Sequence, residues 1–379
     1  MSWEKVKLGD VAELSNGINF GKWAYAKGIK LISVSNFGNR FSPEYDSLEE
    51  IKDDIVRESD LLHNGDIIFV RSNGNKELIG RCMLIKDLPE KVTYSGFCIR
   101  ARLKDTTKND PVFWTYHFKN QAFRKAMSGT AIGANIQNLS QGRLSAYEAM
   151  VPDIDSQRRI AEILSTYDNL IGNNHKQIKL LEEVAQRLYK EWFVDLRFPG
   201  YEDVPIVDGV PEGWKNIKLV DIADVIMGQS PKSEFYNNER VGIPFHQGVG
   251  SYGRRFVIDD VYSTSYTRIA EENSILFSVR APVGRLNITK NKIAIGRGLA
   301  EIKHKQRYQS YLFYLLKERF FKDNLVGNGA IFASITKDEL LNQMFLVANE
   351  KLVVSYNEIV KDIDAKIKAL DSQIDLLVQ

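Results

Sequence analysis

The sequence contains an internal repeat that spans most of its length. Residues 3–14 (WEKVKLGDVAEL) return as residues 214–225 (WKNIKLVDIADV), an offset of 211 that also carries Gly17 onto Gly228. Later matches join residues 113–119 to 311–317 at an offset of 198, and residues 177–181 to 373–377 at an offset of 196. A period near half of the chain predicts two similar domains. The falling offset indicates that the second copy has shorter loops.

Composition places the chain among ordinary globular proteins. Of its 379 residues, 44% are hydrophobic and 26% charged, and the net charge is only +2. Total charge therefore does not require a nucleic-acid partner, which would need local clusters of Lys and Arg. Neither a signal peptide nor a run of eighteen apolar residues is present, so we expect a cytoplasmic protein without membrane contact.

Cys82 and Cys98 lie in apolar runs without a CxxC spacing, which predicts buried, reduced thiols.

Each copy begins with a globular part of mixed secondary structure. Short strand-like runs such as residues 67–70 (IIFV) and 275–279 (ILFSV) are each followed by an arginine, Arg71 or Arg280, and a glycine-containing turn. One aromatic helix is predicted in each copy. The pattern of short strands with single helices indicates an α+β domain. The two arginines fit either ligand contact or the capping of a strand end.

A heptad pattern follows each globular part. Apolar positions alternate by four and three residues, which is typical of a coiled-coil seam. In the first copy the predicted seam is Ile160, Leu164, Tyr167, Ile171, Asn174, Ile178, Leu181, Ala185 and Leu188. In the second copy it is Tyr356, Val360, Ile363, Ile367, Leu370, Ile374 and Leu377. We expect the two helices to pack on each other, the alternative being that each packs on its own domain.

Single residues refine the predicted helices. Asp153 and Asn349 stand at equivalent positions and are good helix N-caps. Asn174 is a polar residue in the seam where the other copy has Leu370, and it either fixes the register of the helices or reaches solvent. The fold predicted from these patterns is α+β, with two similar globular domains, each followed by a long α-helix, and the two helices packed as an antiparallel coiled coil.

Boundaries follow from the change of pattern and from a Pro- and Gly-rich connector. The connector is predicted to be a surface linker. The predicted segments are a first domain at residues 1–152, a helix at 153–195, a linker at 196–213, a second domain at 214–348 and a helix at 349–379.

The motifs of common enzymes are absent from the sequence. It has no phosphate-binding Gly-rich loop ending in Lys-Ser or Lys-Thr, and no Gly-x-Gly-x-x-Gly opening a helix. Its five histidines are scattered without metal-ligand spacing. The Pro-Pro-aromatic motif of amino-methyltransferases is missing as well. We therefore expect a binding protein with no catalytic residue, cofactor or metal of its own.

Polar and cationic residues gather in the loops after the strand-like runs. Arg reads guanine, Asn and Gln read adenine, and Lys and Tyr suit phosphate contacts, so the mixture favours DNA readout. The candidates are Asn36, Arg40, Arg71, Asn73, Asn75, Lys76 and Arg81 in the first copy, and Gln229, Lys232, Gln247, Tyr252, Arg254, Arg255, Arg280, Arg285 and Arg297 in the second.

The ordered, duplicated motifs resemble those of the specificity (S) subunit of Type I restriction-modification systems. The motifs that carry the resemblance are the two openings, residues 227–231 (MGQSP), 296–300 (GRGLA), 157–164 (QRRIAEIL), 192–195 (WFVD) and 211–214 (PEGW). Together they span nearly the whole chain in the order of the family. The first copy has residues 16–19 (NGIN) in place of GQSP, which departs from the second copy at that turn.

The resemblance implies two target recognition domains, each reading one half of a bipartite double-stranded DNA target. The chain would be a non-catalytic subunit that binds two methyltransferase (M) subunits and, through them, restriction (R) subunits. Endonuclease and adenine methyltransferase activities, with S-adenosylmethionine, ATP and magnesium, would belong to those partners. Two other functions fit the residues: a specificity subunit of a fused restriction-methylation enzyme, and a duplicated coiled-coil scaffold without a DNA target.

The end of the first predicted helix is a candidate docking site for the methyltransferase. Trp192 and Phe193 follow a charged helical face that is nearly neutral overall. We expect these aromatic side chains to join the outer faces of both helices in binding the partner. The alternative is that Trp192 and Phe193 pack in a core.

Overall fold

The computed structural model describes residues 3–38, 40–72, 78–128, 139–320 and 334–378. The chain forms two compact units, Met1–Leu170 and Ile171–Gln379. Asn73, Asn75 and Lys76, three of the candidate DNA-binding residues, lie outside the described residues.

The first unit contains a four-stranded antiparallel sheet, a three-stranded sheet and a strand pair. In sheet order, the four strands are Ala12–Asn16, Cys98–Leu103, Ile67–Val70 and Cys82–Leu84. The three are Glu49–Ile51, Tyr25–Ile32 and Val92–Tyr94, and the pair is Trp3–Lys7 with Glu148–Pro152. The α-helices of its globular part are Leu8–Val11, Pro111–Lys119, Gln121–Ser128 and Gln141–Ser145.

The strand Ile67–Val70 lies in the middle of this core. All four of its side chains are buried, because both faces of the sheet are covered. On one face Phe69 packs on Phe118 of the helix Pro111–Lys119, with ring centroids 5.0 Å apart. On the other face Ile68 and Val70 join a second apolar cluster. Burial on both faces explains why this strand reads as an unbroken apolar run.

The second unit repeats this plan. In sheet order, its four-stranded sheet is Ala223–Met227, Leu299–His304, Ile275–Ser278 and Leu286–Ile288. A five-stranded sheet has the order Tyr236–Asn237, Tyr262–Ser263, Ile243–His246, Ile293–Ile295 and Ile269–Ala270. The pairs are Lys215–Lys218 with Met344–Val347, and Ile206–Val207 with Val210–Pro211. The short helices are Leu219–Ile222 and Lys337–Leu341, and the aromatic helix is Gln309–Phe320.

Two long α-helices follow the globular parts. The first long helix is Ile154–Tyr189, continued by a π-helical turn at Lys190–Val194, and the second long helix is Glu350–Val378. Asp153 Oδ1 accepts a hydrogen bond from the Ser156 amide at 2.9 Å, and Asn349 Oδ1 accepts one from the Leu352 amide at 3.0 Å. Both caps therefore form as the sequence predicts.

The two long helices pack antiparallel within the second unit. Asn174 Nδ2 donates to Gln373 Oε1 at 3.0 Å, and Tyr356 Oη donates to the carbonyl of Ala185 at 3.0 Å. Moving forward along the first helix thus means moving backward along the second. Their side chains share one apolar cluster, which the structure buries fully or in part at Ile171, Ile178, Leu181, Ala185, Leu188, Tyr356, Val360, Ile363, Ile367, Leu370 and Ile374. Leu377 is half-buried.

The seam is shorter at its N-terminal end than the sequence predicts. Ile160 packs on the core of the first unit, while Leu164 is 37% exposed and Tyr167 50% exposed. Among the described residues, the apolar cluster that the two long helices share begins at Ile171.

The predicted linker is also less exposed than expected. Phe198 is 4% exposed and packs its ring on Trp214 at a centroid distance of 5.4 Å. Val204 and Val210 contact the same apolar cluster of the second unit. The pattern of Pro and Gly predicts the turns of this segment, but not the side chains that tie it to the core.

Candidate nucleic-acid interface

In the second unit, loops from separate strand ends meet at one edge of the sheets. The amide of Gln229 donates to the carbonyl of Ile295 at 2.9 Å, and the amide of Gly298 donates to the carbonyl of Gln247 at 3.1 Å. The amide of Arg297 donates to Ser230 Oγ at 3.1 Å. These bonds hold three loops together, residues 228–231, 247–251 and 296–298, which we call the reading loops of the second unit.

Glycine is required where the reading loops touch. A Cβ atom on Gly228 would lie 2.2 Å from the carbonyl oxygen of Gly296, and one on Gly298 would lie 2.3 Å from that of Gln247. Backbone cannot yield at such distances, so any side chain would force these loops apart. The glycine-rich motifs of the sequence are therefore the points of close backbone approach.

Cationic and amide side chains surround a cleft on this edge. Gln247, Arg280 and Arg297 are exposed and line a cleft of 160 Å³, whose wall also includes Gly298 and Ser278. Arg280 and Arg297 face a neighbouring depression of 430 Å³ as well. Gln229 is exposed on the first of the reading loops, and Lys232 is exposed directly after that loop. These donors match the edges of guanine and adenine in the DNA major groove.

A buried polar network supports the loop that carries Gln247. His246 is fully buried, with its Nδ1 atom 2.8 Å from Ser251 Oγ and its Nε2 atom 2.9 Å from Asp259 Oδ1. Burial acts to raise the pKa of Asp259, but hydrogen bonds from His246 and Asn291 outweigh it and lower that pKa below the usual value. Sequence reasoning missed this network because its members are separated along the chain and fit no motif.

Comparison with known proteins identifies the family. The family described as "Type I restriction modification DNA specificity domain" matches residues 1–183 and 211–347. The chain belongs to this family. The putative type I restriction enzyme MjaX specificity subunit of Methanocaldococcus jannaschii is 31% identical, over 99% of this chain and 88% of the relative. The MjaVIII specificity subunit of the same organism is 24% identical over 99% of this chain and 87% of the relative.

A solved structure shows the same fold. The S subunit of a Type-I restriction-modification system from M. genitalium aligns with 100% of this chain and 93% of its own length, with a TM-score of 0.63 at 15% sequence identity. The family match and the relatives from M. jannaschii confirm the resemblance predicted from the motifs, and the chain is a DNA sequence-specificity subunit with two domains. Proteins of this family are non-catalytic.

One candidate of this specificity subunit is not available to DNA. Arg255 is 3% exposed. Its Nη2 atom donates to Asp364 Oδ1 at 2.5 Å and its Nη1 atom to Tyr314 Oη at 3.2 Å. Glu182 Oε1 lies 3.6 Å from Nη1. The guanidinium therefore joins the globular part of the second unit to both long helices. Burial acts to lower the pKa of Arg255, and these neighbours raise it overall.

Three other candidates in the second unit lie in a groove beside the first long helix. Tyr252, Arg254 and Arg285 line this groove of 390 Å³, together with Glu182. Arg254 is exposed and its Nη1 atom donates to the carbonyl of His175 at 3.2 Å. The hydroxyl of Tyr252 is buried. Arg285 is half-buried, and its amide donates to Ser278 Oγ at 2.8 Å. This groove adjoins the cleft of Gln247, Arg280 and Arg297 and shares Val249 with it.

The candidates in the first unit are dispersed among the described residues. Asn36 Oδ1 accepts a hydrogen bond from the Ser33 amide at 2.8 Å and so caps its own turn. Arg40 is exposed and forms an ion pair with Glu44 at 2.8 Å. Arg81 is half-buried, with a buried Nε atom. Arg71 is half-buried, and its Nη1 atom donates to the carbonyl of Gly96 at 3.3 Å.

Arg71 and Arg280 are not structural equivalents, although both follow a strand. Val70 pairs with Cys98 in the first unit, and Ser278 pairs with Leu299 in the second. Position 71 therefore corresponds to Val279, which is buried, and Arg280 corresponds to position 72. Successive strand residues point to opposite faces, so the two arginines face differently. The shared pattern of an apolar run followed by arginine therefore does not reflect an equivalent position in the two units.

The aromatic pair at the end of the first long helix is not a docking surface. Trp192 and Phe193 are each 8% exposed. The ring of Phe193 lies 5.2 Å from those of Tyr311 and Tyr356, and the ring of Trp192 lies 6.0 Å from that of Tyr356. Burial of such large apolar rings stabilises the second unit. The alternative that they pack in a core is therefore the one the structure supports.

The structure also bears on the cysteines, on metal-binding clusters and on membrane-spanning helices. Both cysteines are buried and free, and burial raises the pKa of each thiol to about 12. Within the described part of the chain, His, Cys, Asp and Glu form no cluster suited to a metal ion. Across the same residues, no helix is both long and apolar enough to span a bilayer.

Proposed function

We propose that this specificity subunit reads a bipartite double-stranded DNA target, with one half-site for each unit. The observation that carries the proposal is the cleft of Gln247, Arg280 and Arg297, which exposes one amide and two guanidinium groups on loops tied together by backbone hydrogen bonds. Rigid loops with such donors suit sequence readout, because base contacts need fixed geometry. The repeat of the fold in the first unit supports a second reading surface.

Within the cleft the side chains take different roles. Arg280 and Arg297 suit the O6 and N7 atoms of guanine, and Gln247 suits the N6 and N7 atoms of adenine. Lys232, exposed directly after the first reading loop, suits a phosphate. In the first unit, Arg40, Arg71 and Arg81 are the cationic candidates among the described residues. Asn36 is held in its cap and contributes to loop shape.

The partners in this proposal are two methyltransferase subunits and, through them, restriction subunits. S-adenosylmethionine, ATP and magnesium would bind to those partners, and the assembly would work in the cytoplasm. The methyltransferase would dock on the outer faces of the long helices. Support comes from Leu180 and Val184, which are 51% and 53% exposed and stand four residues apart, on the same face of the first long helix.

The test of DNA readout is co-expression of this chain with its methyltransferase in a host without adenine methylation, followed by single-molecule sequencing. We expect methylated adenines in two short motifs at one fixed spacing. Arg297→Ala should relax the base preference at one position. A soluble complex that methylates no defined motif would overturn the proposal.

The docking surface has its own test. Leu180→Asp combined with Val184→Asp should abolish co-purification of the methyltransferase, because charges replace the apolar contact, while the melting temperature of the free subunit stays unchanged. The matched control is Ile206→Asp combined with Val207→Asp, which places the same charges on exposed apolar residues of the connector, away from both helices. Retained co-purification in the first variant would place the docking surface elsewhere.

A further inference from the structure

A phenylalanine is exposed at the tip of a tight loop in the first unit. Phe97 lies between the strands Val92–Tyr94 and Cys98–Leu103 and is 61% exposed. A single exposed apolar side chain is common on protein surfaces and by itself indicates nothing. The rigidity of the loop and its place in the repeat are what set Phe97 apart.

The backbone around Phe97 is fixed by hydrogen bonds on both sides. The amide of Gly96 donates to the carbonyl of Ile18 at 2.7 Å, and that of Phe97 to Ser95 Oγ at 3.2 Å. The carbonyl of Phe97 accepts from the amides of Arg71 at 2.8 Å and Ser72 at 3.3 Å. The phenyl ring is thus presented from a backbone that has little freedom, which lowers the entropic cost of using it in a contact.

The repeat places Phe97 at the reading surface. Gly17 donates to the carbonyl of Cys98, as Gly228 does to that of Leu299, and the amide of Ile18 donates to the carbonyl of Tyr94 as Gln229 does to that of Ile295. The same shift of 201 residues carries Phe97 onto Gly298 and Gly96 onto Arg297. Gly298 lines the cleft of Gln247, Arg280 and Arg297. Where the second unit has an arginine-lined cleft, the first unit presents a phenyl ring.

We propose that Phe97 contacts the C5-methyl group of a thymine in the major groove of the half-site read by the first unit. The inference rests on the proposed function and adds a specificity-determining residue to it. A phenyl ring offers no hydrogen bond, and the thymine methyl is the apolar group that the major groove presents. The two half-sites are therefore read by different chemistry, one by an apolar contact and the other by guanidinium and amide donors.

The test removes the methyl group without changing base pairing. Each thymine of the mapped target is replaced in turn by deoxyuridine, and the affinity of the complete methyltransferase complex is measured for each duplex. With the unaltered chain, we expect one thymine whose replacement lowers affinity about fourfold, the effect of one buried methyl group. With Phe97→Ala, the same replacement should change affinity less than about 1.5-fold. The substitution has already removed the contact with the methyl group, which accounts for the change of about fourfold in the affinity of the unaltered chain.

Control variants separate this contact from a general loss. Tyr201→Ala removes an exposed aromatic ring of the connector and should retain the full deoxyuridine effect. Phe97→Leu keeps an apolar side chain and should retain part of it. Melting temperatures should be equal, since Phe97 is outside the core.

Each other result overturns the inference. An equal deoxyuridine effect in the unaltered chain and in Phe97→Ala would show that Phe97 makes no methyl contact, and so would a target in which no thymine methyl matters. Increased fluorescence of 2-aminopurine beside the contacted step, lost in Phe97→Ala, would instead show a wedge between bases. In all three cases a bipartite methylation pattern would leave the proposed function intact, whereas its absence would reject the proposed function itself.

Discussion

Two adjacent arginines in the second unit have opposite roles because neighbouring side chains of an extended backbone point to opposite sides. Arg254 is exposed, and Arg255 is 2% exposed at its side chain and bonded to Asp364. Burial raises the pKa of Asp364, while Arg255 and Ser310 oppose that rise. A buried carboxylate that loses its cationic partner is destabilised.

Arg255→Ala should lower the free energy of unfolding by about 3 kcal/mol, because it leaves Asp364 and Glu182 without their buried partner. Arg254→Ala is the matched control and should leave stability nearly unchanged. Urea denaturation of both variants provides the measurement. Equal stability of the two variants would contradict the assignment of Arg255 as a structural residue.

Loop positions were easier to predict from the sequence than the exposure of single side chains. Gln247, Arg280 and Arg297 lie between strands as expected, because glycine-rich turns after apolar runs mark such positions. Exposure of one arginine in a pair could not be predicted, because it depends on acids from helices more than 70 residues away on either side, Glu182 and Asp364. Phe97 carried no signal, since its equivalence to Gly298 emerges only from the strand register.

At the scale of elements, the long helices were the most predictable part of the fold. The heptad pattern and the caps Asp153 and Asn349 depend on local sequence, so the pattern sufficed. The extent of the seam did not follow, because Leu164 and Tyr167 continue the heptads and are nonetheless 37% and 50% exposed. Periodicity predicts which face of a helix is apolar, and only the register predicts how far that face is covered.

Substitutions at Asn174 and at its partner Gln373 test how the polar residue in the seam affects stability. It is 1% exposed and bonded to Gln373. Asn174→Leu should raise the free energy of unfolding by about 1 kcal/mol, because an apolar side chain replaces a buried amide. Gln373→Ala should lower it by about 1 kcal/mol, because the Asn174 amide loses its partner. Thermal unfolding compares the two variants, and a change of the same sign in both would contradict this account.

At the scale of the whole molecule, the proposed bipartite readout would let each half of the target change independently of the other. Each unit has its own apolar core, so a substitution in the reading loops of one unit leaves the other folded. The equivalent loops of the two units have also diverged, with Phe97 in one unit at the position of Gly298 in the other. In the proposed function, two such surfaces would serve two unrelated half-site sequences.

Substitutions in the second unit should therefore alter one half-site alone. Arg280→Ala and Arg297→Ala each remove a guanidinium suited to guanine, so each should cost about 1–3 kcal/mol of discrimination at one base pair. Lys232→Ala should keep the sequence preference but reduce the slope of log affinity against log salt by about 0.9, as expected for one lost phosphate contact. Methylation mapping and affinity titrations at several salt concentrations measure both effects. Loss of preference in both half-sites from one of these arginine substitutions would show that the two units do not read DNA separately.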